Sequence, residues 1–143
     1  GAGLSRSQEA MHRRGHAIEV RINAENPAMD FMPFPGTVET LVAPGGPGVR
    51  FDHMLYPGYT VPPFYDSLLG KLIVWAEDRP RALARLRRAL DELELTGLPT
   101  TAPLFQALLD ARAVQSCAID TGWLETWLAA NQETITNQGD QAS

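Results

Sequence analysis

The stretch from His16 to Glu25 limits the possible folds of this chain more than any other feature, because apolar and polar side chains alternate strictly from residue 18 onward. A period of two places the two sets on opposite faces of a β-strand. The chain must therefore build a sheet that buries one face of this strand. The apolar set is Ile18, Val20, Ile22 and Ala24, and the polar set is Glu19, Arg21, Asn23 and Glu25.

The polar face of this strand is open to two interpretations. Neighbours on one face of a strand are about 7 Å apart, so Arg21 has the carboxylate of Glu19 and the amide of Asn23 beside it. A salt-bridge ladder exposed to solvent would use such a pattern. A polar binding site would use it equally well, and the residues alone leave both interpretations open.

Two further alternating segments, Thr37 to Ala43 and Val49 to Leu55, predict strands. The connection Gly45-Gly46-Pro47-Gly48 predicts that they form a hairpin. A glycine-rich loop that holds phosphate normally opens a helix, whereas a strand follows here. The pattern therefore favours a hairpin over a phosphate-binding loop.

A fourth strand is predicted from Leu68 to Ala76, which is apolar except for Gly70 and Lys71, the only lysine of the chain. A lysine in such a run usually extends its amine to solvent or pairs with a carboxylate. If it pairs, Asp66 is the nearest candidate in sequence.

The second half of the chain predicts helices. Asp78 and Pro80 are typical of a helix start, and the leucine spacing extends this helix to about Leu93. Two more helices are predicted to begin near Thr100 and near Thr121. The fold class is therefore α+β, with a small antiparallel sheet followed by a strand and about three helices.

A length of 143 residues suits one folded domain. We predict a cloning remnant and lead-in over residues 1–14, the domain over 15–130, and a polar linker or disordered tail over 131–143. No apolar signal-peptide core occurs near the start, and Cys117 is the only cysteine. These features favour a reducing compartment, namely the cytoplasm.

Composition disfavours several classes of function. The net charge is −5 and the pI is about 5.1, so no basic field exists to hold nucleic acid. No apolar run approaches the ~20 residues of a membrane helix. His12 and His16 have the spacing of a helical zinc site, but a strand begins at His16, and we predict no metal ligands. Common motifs of hydrolases and redox enzymes are also missing.

A series of short motifs occurs in a fixed order between Gly15 and Leu128. It comprises Arg14-Gly15-His16-Ala17-Ile18-Glu19-Val20-Arg21-Ile22-Asn23-Ala24-Glu25, Pro35-Gly36, Ala43-Pro44-Gly45-Gly46, Gly48-Val49-Arg50, Gly58-Tyr59, Val61-Pro62-Pro63, Tyr65-Asp66-Ser67 and Gly70-Lys71-Leu72. The series resembles the C-terminal domain of biotin carboxylase, which occurs in acetyl-CoA, propionyl-CoA and related acyl-CoA carboxylases and in pyruvate carboxylase. The fold that the resemblance implies is the rudimentary hybrid motif of that domain.

The resemblance implies a ligase activity that forms a C–N bond on biotin. In that family, ATP and bicarbonate give carboxyphosphate, and the carboxyl group passes to biotin on a carrier domain. ATP and Mg²⁺ are held mainly by an ATP-grasp portion outside these 143 residues, so we expect no cofactor on this chain and no activity from it alone. The implied partners are that ATP-grasp portion, the biotin carboxyl carrier domain, a carboxyltransferase subunit or domain, and a second copy in a homodimer.

The resemblance also implies roles for particular residues. Arg21 corresponds to the arginine of the E-x-R-I-N motif, which lies at the biotin site of the family. Glu19 and Asn23 flank Arg21 and are expected to orient it. Arg50 resembles a position used in contact between subunits, although Pro47 replaces an aromatic residue that is frequent beside it.

We expect the complete enzyme to be an acyl-CoA carboxylase of the acetyl-CoA or propionyl-CoA type that acts in fatty acid biosynthesis. One alternative is the biotin carboxylase domain of pyruvate carboxylase. Another is a module without catalytic function that packs against other domains or serves as a scaffold.

Overall fold

The structure is a computed structural model that describes the backbone of residues 1–64 and 66–139. Its strands are β1 (His16–Asn23), β2 (Glu25–Asn26), β3 (Met32–Pro33), β4 (Leu41–Val42), β5 (Val49–His53), β6 (Leu68–Ala76) and β7 (Glu94–Leu95). Its helices are α1 (Arg79–Glu92), α2 (Ala102–Leu108), α3 (Arg112–Ser116) and α4 (Trp123–Gly139), with short 3₁₀ turns at Gln8–Ala10 and Pro27–Met29. The predicted α+β class is confirmed.

The central sheet is antiparallel and has the order β1-β6-β5. The alternation that predicted β1 is confirmed, because Val20 and Ile22 are buried while Glu19 and Arg21 are exposed. The apolar run that predicted a buried strand is β6, which lies in the middle of the sheet. Leu72, Val74 and Ala76 on its core face are buried, whereas Trp75 on the opposite face is exposed.

Helix α1 packs against β6 and β1 and closes the core. Leu86 and Leu90 of the helix are buried in the same cluster as Ile22 and Leu72 of the sheet. The helix begins where the sequence predicts, because the side chain of Asp78 accepts a hydrogen bond from the backbone N–H of Arg81 at 2.9 Å. That bond satisfies one of the free N–H groups of the first turn.

The hairpin predicted across Gly45-Gly46-Pro47-Gly48 is wrong. The segment before this loop makes other backbone bonds: the N–H of Val38 donates to the carbonyl of Tyr59, and the N–H of Glu39 donates to the carbonyl of Thr96. Strand β4 pairs with β7, and β5 pairs with β6. Because these backbone groups are already paired, the predicted strand has no edge left for β5.

The helical half differs from the prediction in two places. Helix α3 has only five residues, which is too short to produce a periodic pattern in the sequence. Helix α4 is kinked at Asn131, whose backbone angles are non-helical, and a second helical segment follows to Gly139 within the predicted tail. The remaining residues of the predicted tail, 140–143, lie outside the described part of the chain. None of the described helices has both the length and the apolar character needed to cross a bilayer.

Candidate functional site

Charged side chains gather on the face of the central sheet that points away from the apolar core. In the register of the sheet, Arg21 of β1 lies opposite Lys71 of β6, and Lys71 lies opposite Asp52 of β5. The row two residues away contains Glu19 and Arg50, with Ile73 between them. Residues directly opposite one another share a face of a sheet. We call Glu19, Arg21, Arg50, Asp52 and Lys71 the charged face.

Arg21 is an exposed cation of the charged face. Its side chain is 62% exposed, and its Nε lies 4.0 Å from Oε1 of Glu19. Among the described residues the guanidinium donates no hydrogen bond, and its neighbour across the strand pair is the like-charged Lys71. A guanidinium carries five N–H donors in a planar fork. Those donors are therefore available to an external acceptor.

Asn23, the other residue expected to orient Arg21, makes its side-chain contact elsewhere. Its Nδ2 donates to Oε1 of Glu25 at 3.0 Å, and the hydroxyl of Ser67 donates to the same oxygen. The Oδ1 atom of Asn23 is buried and has no hydrogen-bond partner among the described residues. The structure thus brings Glu19 to the Arg21 guanidinium, while the amide of Asn23 joins a separate polar cluster with Glu25 and Ser67.

Arg50 and Asp52 form a bidentate ion pair on the exposed edge of the sheet. Nε and Nη2 of Arg50 each lie 2.7 Å from one carboxylate oxygen of Asp52. The hydrogen bonds from Arg50 hold the pKa of Asp52 below its ordinary value, and the charge of Lys71 adds to this effect. The same pair raises the pKa of Arg50. The side chain of Arg50 is exposed.

Asp66, the nearest candidate in sequence to pair with Lys71, makes its contact elsewhere. A carboxylate oxygen of Asp66 accepts the backbone N–H of Leu68 at 3.0 Å, which closes the turn into β6. No ion pair between Asp66 and Lys71 occurs in the part of the chain that the structure describes. The carboxylate beside Lys71 belongs to Asp52, because strand pairing brings together residues that are distant in sequence.

The glycine-rich loop is held by its own carbonyl groups and leads into a strand. The carbonyl of Gly46 accepts the N–H of Val49 at 3.1 Å, and the carbonyl of Gly48 accepts the N–H of Trp75 at 2.8 Å. Gly48 has φ +73°, and a Cβ there would clash with the carbonyl of Trp75. A strand follows the loop, as the sequence predicts, and no helix begins there. The loop therefore lacks the helix dipole that favours phosphate binding.

No group of three or more His, Cys, Asp or Glu side chains able to hold a metal ion occurs among the described residues. The donors of Arg21 can bind an anionic or strongly polar oxygen at the charged face, and Glu19 lies 4.0 Å from the guanidinium.

Comparison with known proteins gives a family model and several relatives. The model described as the biotin carboxylase C-terminal domain matches residues 19–126. A biotin carboxylase from Nostoc sp. is 52% identical over 110 residues, which are 77% of this chain and 25% of that protein. A pyruvate carboxylase subunit of Methanothermobacter thermautotrophicus is 44% identical over 127 residues, which are 89% of this chain and 26% of the relative.

A solved structure agrees with these relatives. The biotin carboxylase domain dimer of the Hydrogenobacter thermophilus 2-oxoglutarate carboxylase, in complex with MgADP, ADP and bicarbonate, superimposes with a TM-score of 0.87 at 39% identity. The match covers 92% of this chain and 29% of that one. The chain thus spans about a quarter of the length of the proteins it matches.

Proposed function

Because the chain belongs to the biotin carboxylase C-terminal domain family, we propose that it supplies one wall of the biotin site in an ATP-dependent biotin carboxylase. The observation that carries the proposal is the exposed Arg21 guanidinium, whose donors are free on the charged face. We propose that the whole enzyme extends beyond these residues, since the aligned segment is only 25% of the Nostoc relative.

Arg21 is the proposed catalytic residue. Biotin accepts a carboxyl group on a ureido nitrogen, and negative charge develops on the ureido oxygen as that nitrogen becomes nucleophilic. A fixed guanidinium stabilises such charge best where it develops, because the donors need no reorganisation during the reaction. Lys71, directly across the strand pair, adds positive potential at the same place. Glu19 orients the guanidinium through their contact at 4.0 Å.

Asn23 has an indirect role in this proposal. Its side chain holds Glu25, and its backbone continues the strand that carries Arg21. We assign it a supporting role in which it fixes the end of β1, and we assign the direct contact with the guanidinium to Glu19.

ATP, Mg²⁺ and bicarbonate belong, in this proposal, to an ATP-grasp portion of the same enzyme, and the present chain alone is inactive. The carboxyl group is carried away on the biotin of a carrier domain. Arg50, exposed at the edge of the charged face, is the proposed contact with a second copy in a homodimer. One related biotin carboxylase domain has been solved as a dimer, which supports this assignment. We propose a cytoplasmic location for the enzyme.

For the final acceptor we propose an acyl-CoA of the acetyl or propionyl type, and hence a role in fatty acid biosynthesis. The relative with 52% identity is named biotin carboxylase, whereas the pyruvate carboxylase subunit of Methanothermobacter thermautotrophicus is 44% identical. The acceptor itself is chosen by a separate carboxyltransferase. Purifying the complete enzyme with its carboxyltransferase, and comparing acetyl-CoA, propionyl-CoA and pyruvate as acceptors, decides the matter.

The test of the biotin-site proposal uses the complete enzyme with free biotin as substrate. Arg21→Gln is expected to abolish most of the carboxylation of biotin and to leave folding unchanged, since the side chain is exposed. Arg81→Gln is the matched control, because it removes another exposed arginine that pairs with a nearby carboxylate, Asp78. If both variants carboxylate biotin at the wild-type rate, a module without catalytic function becomes the better description.

A further inference from the structure

β1 is an edge strand of the central sheet, and a single threonine covers part of its free edge. The backbone N–H of Thr101 donates to the carbonyl of Asn23 at 3.1 Å. The N–H of Asn23 donates to Oγ1 of Thr101 at 3.0 Å, and that hydroxyl donates to the carbonyl of Arg21 at 2.9 Å. One residue thus makes the three hydrogen bonds that a neighbouring strand would otherwise make.

These bonds form where the sheet is irregular. The register between β1 and β6 shifts between Ile22 and Asn23, so the regular ladder is interrupted next to Arg21. Thr101 is 4% exposed and is the only polar residue among the buried ones described. The loss of that hydroxyl would leave two part-buried backbone groups, the N–H of Asn23 and the carbonyl of Arg21, without the partner that they have here.

The position of Thr101 connects the start of α2 to the backbone that carries Arg21. Thr101 directly precedes α2, and its side chain makes no capping bond to that helix. The packing of α2 therefore determines where the backbone of residues 21–23 lies. Among the described residues, the guanidinium of Arg21 is held by no ion pair other than the 4.0 Å contact with Glu19, so its backbone is the better fixed part of the residue.

We propose that Thr101 is a positioning residue for Arg21, holding the backbone of β1 so that the guanidinium meets the ureido oxygen of biotin. The inference rests on the proposed function of Arg21. Misplacement of a reacting group by about 1 Å can cost on the order of 10²-fold in rate, so a looser strand should slow the biotin step. The nucleotide step, which this chain does not perform in our proposal, should be spared.

The experiment compares two near-isosteric substitutions in the complete enzyme. Thr101→Val removes the hydroxyl and keeps the shape, and Thr101→Ser keeps the hydroxyl. We expect Thr101→Val to lower kcat for biotin carboxylation by about tenfold or more. Thr101→Ser should restore most of the rate. Bicarbonate-dependent ATP cleavage without biotin should change by less than about twofold in both variants.

A matched control and a second readout separate positioning from general loss of structure. Thr60→Val removes another threonine hydroxyl, which contacts Thr37 at 3.0 Å on the surface, and should not alter the biotin rate. Amide hydrogen exchange in the 143-residue chain should show faster exchange at Asn23 in Thr101→Val and normal exchange in Thr101→Ser. If Thr101→Val does not fold, Thr101→Cys carries the same test, because a thiol is a weaker hydrogen-bonding group.

The outcomes that overturn the inference differ from those that overturn the proposed function. If Arg21→Gln has no effect on the biotin rate, the proposed function fails, and the role of Thr101 fails with it. If Arg21→Gln slows the reaction but Thr101→Val does not, only the role of Thr101 is overturned. An equal fall of both half-reactions in Thr101→Val also overturns it, because that result indicates a purely structural residue.

Discussion

At position 21, a guanidinium and an ammonium differ in geometry more than in charge. Arg21→Lys in the complete enzyme keeps a cation on the charged face but loses the planar fork that can hold two acceptors together. We expect biotin carboxylation to fall by about 10² or more in rate, the scale of losing one preorganised donor. The melting temperature should barely move, because the side chain is largely exposed.

Assaying the two half-reactions separately tests the role of the arginine. Bicarbonate-dependent ATP cleavage without biotin should be much less affected by Arg21→Lys than biotin carboxylation. An equal loss in both reactions would assign Arg21 to bicarbonate or phosphate. No loss in either would make it a residue of a solvated salt-bridge ladder.

At position 50, a substitution is expected to change the pKa of the neighbouring Asp52 carboxyl. Arg50 holds the pKa of Asp52 below its ordinary value, so Arg50→Gln should raise that pKa. Because the charge of Lys71 also lowers the pKa of Asp52, that pKa should stay partly depressed in the variant. A carboxyl whose pKa is depressed by folding stabilises the protein above its unfolded pKa and loses that contribution as pH falls through its folded pKa. Any stability difference between Arg50→Gln and wild type should therefore shrink in acid.

An NMR titration of the Asp52 carboxyl carbon measures this change directly. Arg81→Gln is the control, because Arg81 pairs with Asp78 on a different element and should leave Asp52 unchanged. An unaltered titration of Asp52 in Arg50→Gln would show that the ion pair does not form in solution.

Some residues of the proposed site could be predicted from the sequence, and others could not. Arg21 and Glu19 were found because a strand with alternating side chains displays its polar set, and because their motif resembles a known family. The neighbours of Lys71 were missed, because Arg21 and Asp52 meet it only through strand pairing. Thr101 was missed because it looked like part of a helix start, and its 80-residue separation from Arg21 leaves no local signal.

Among the elements, α1 offers the sharpest test of a local signal. Asp78→Ala removes the side chain that accepts the N–H of Arg81 and should cost about 1 kcal/mol in the free energy of unfolding. Asp78→Asn is the matched control. It keeps a capping oxygen and loses only the exposed ion pair with Arg81, so most of the stability should return.

Denaturant unfolding of the 143-residue chain, followed by circular dichroism, measures both variants. Equal losses in Asp78→Ala and Asp78→Asn would show that the ion pair, and not the cap, stabilises the start of α1.

The elements that were predicted well share one property: their burial can be recognised from their own sequence. β1 alternates, β6 is an apolar run and α1 has a leucine stripe, and all three lie in the core. The predicted hairpin failed because pairing depends on which edges are free, and the edge of the first segment is used by Thr96. The helical continuation to Gly139 was missed because the sequence after Asn131 has no apolar period.

For the whole molecule, the informative feature is that aspartate carboxylates accept N–H groups at the starts of two helices. A carboxylate oxygen of Asp78 accepts an N–H in the first turn of α1, and one of Asp120 accepts the N–H of Gly122 just before α4. A helix N-terminus attracts phosphate through its free N–H groups and its positive dipole end. A carboxylate already in that place uses a donor and repels a second anion.

The 143-residue chain alone should therefore show no saturable heat of binding with Mg-ATP. The glycine-rich loop adds nothing to such a site, since it leads into β5 and Pro47 has no N–H to offer. The complete enzyme, titrated under the same conditions, should bind, because the nucleotide site belongs to its other portion in our proposal. A clear saturable isotherm for the chain alone would contradict the proposal that the nucleotide site lies in the other portion of the enzyme. Such binding would require phosphate contacts that the described residues do not provide.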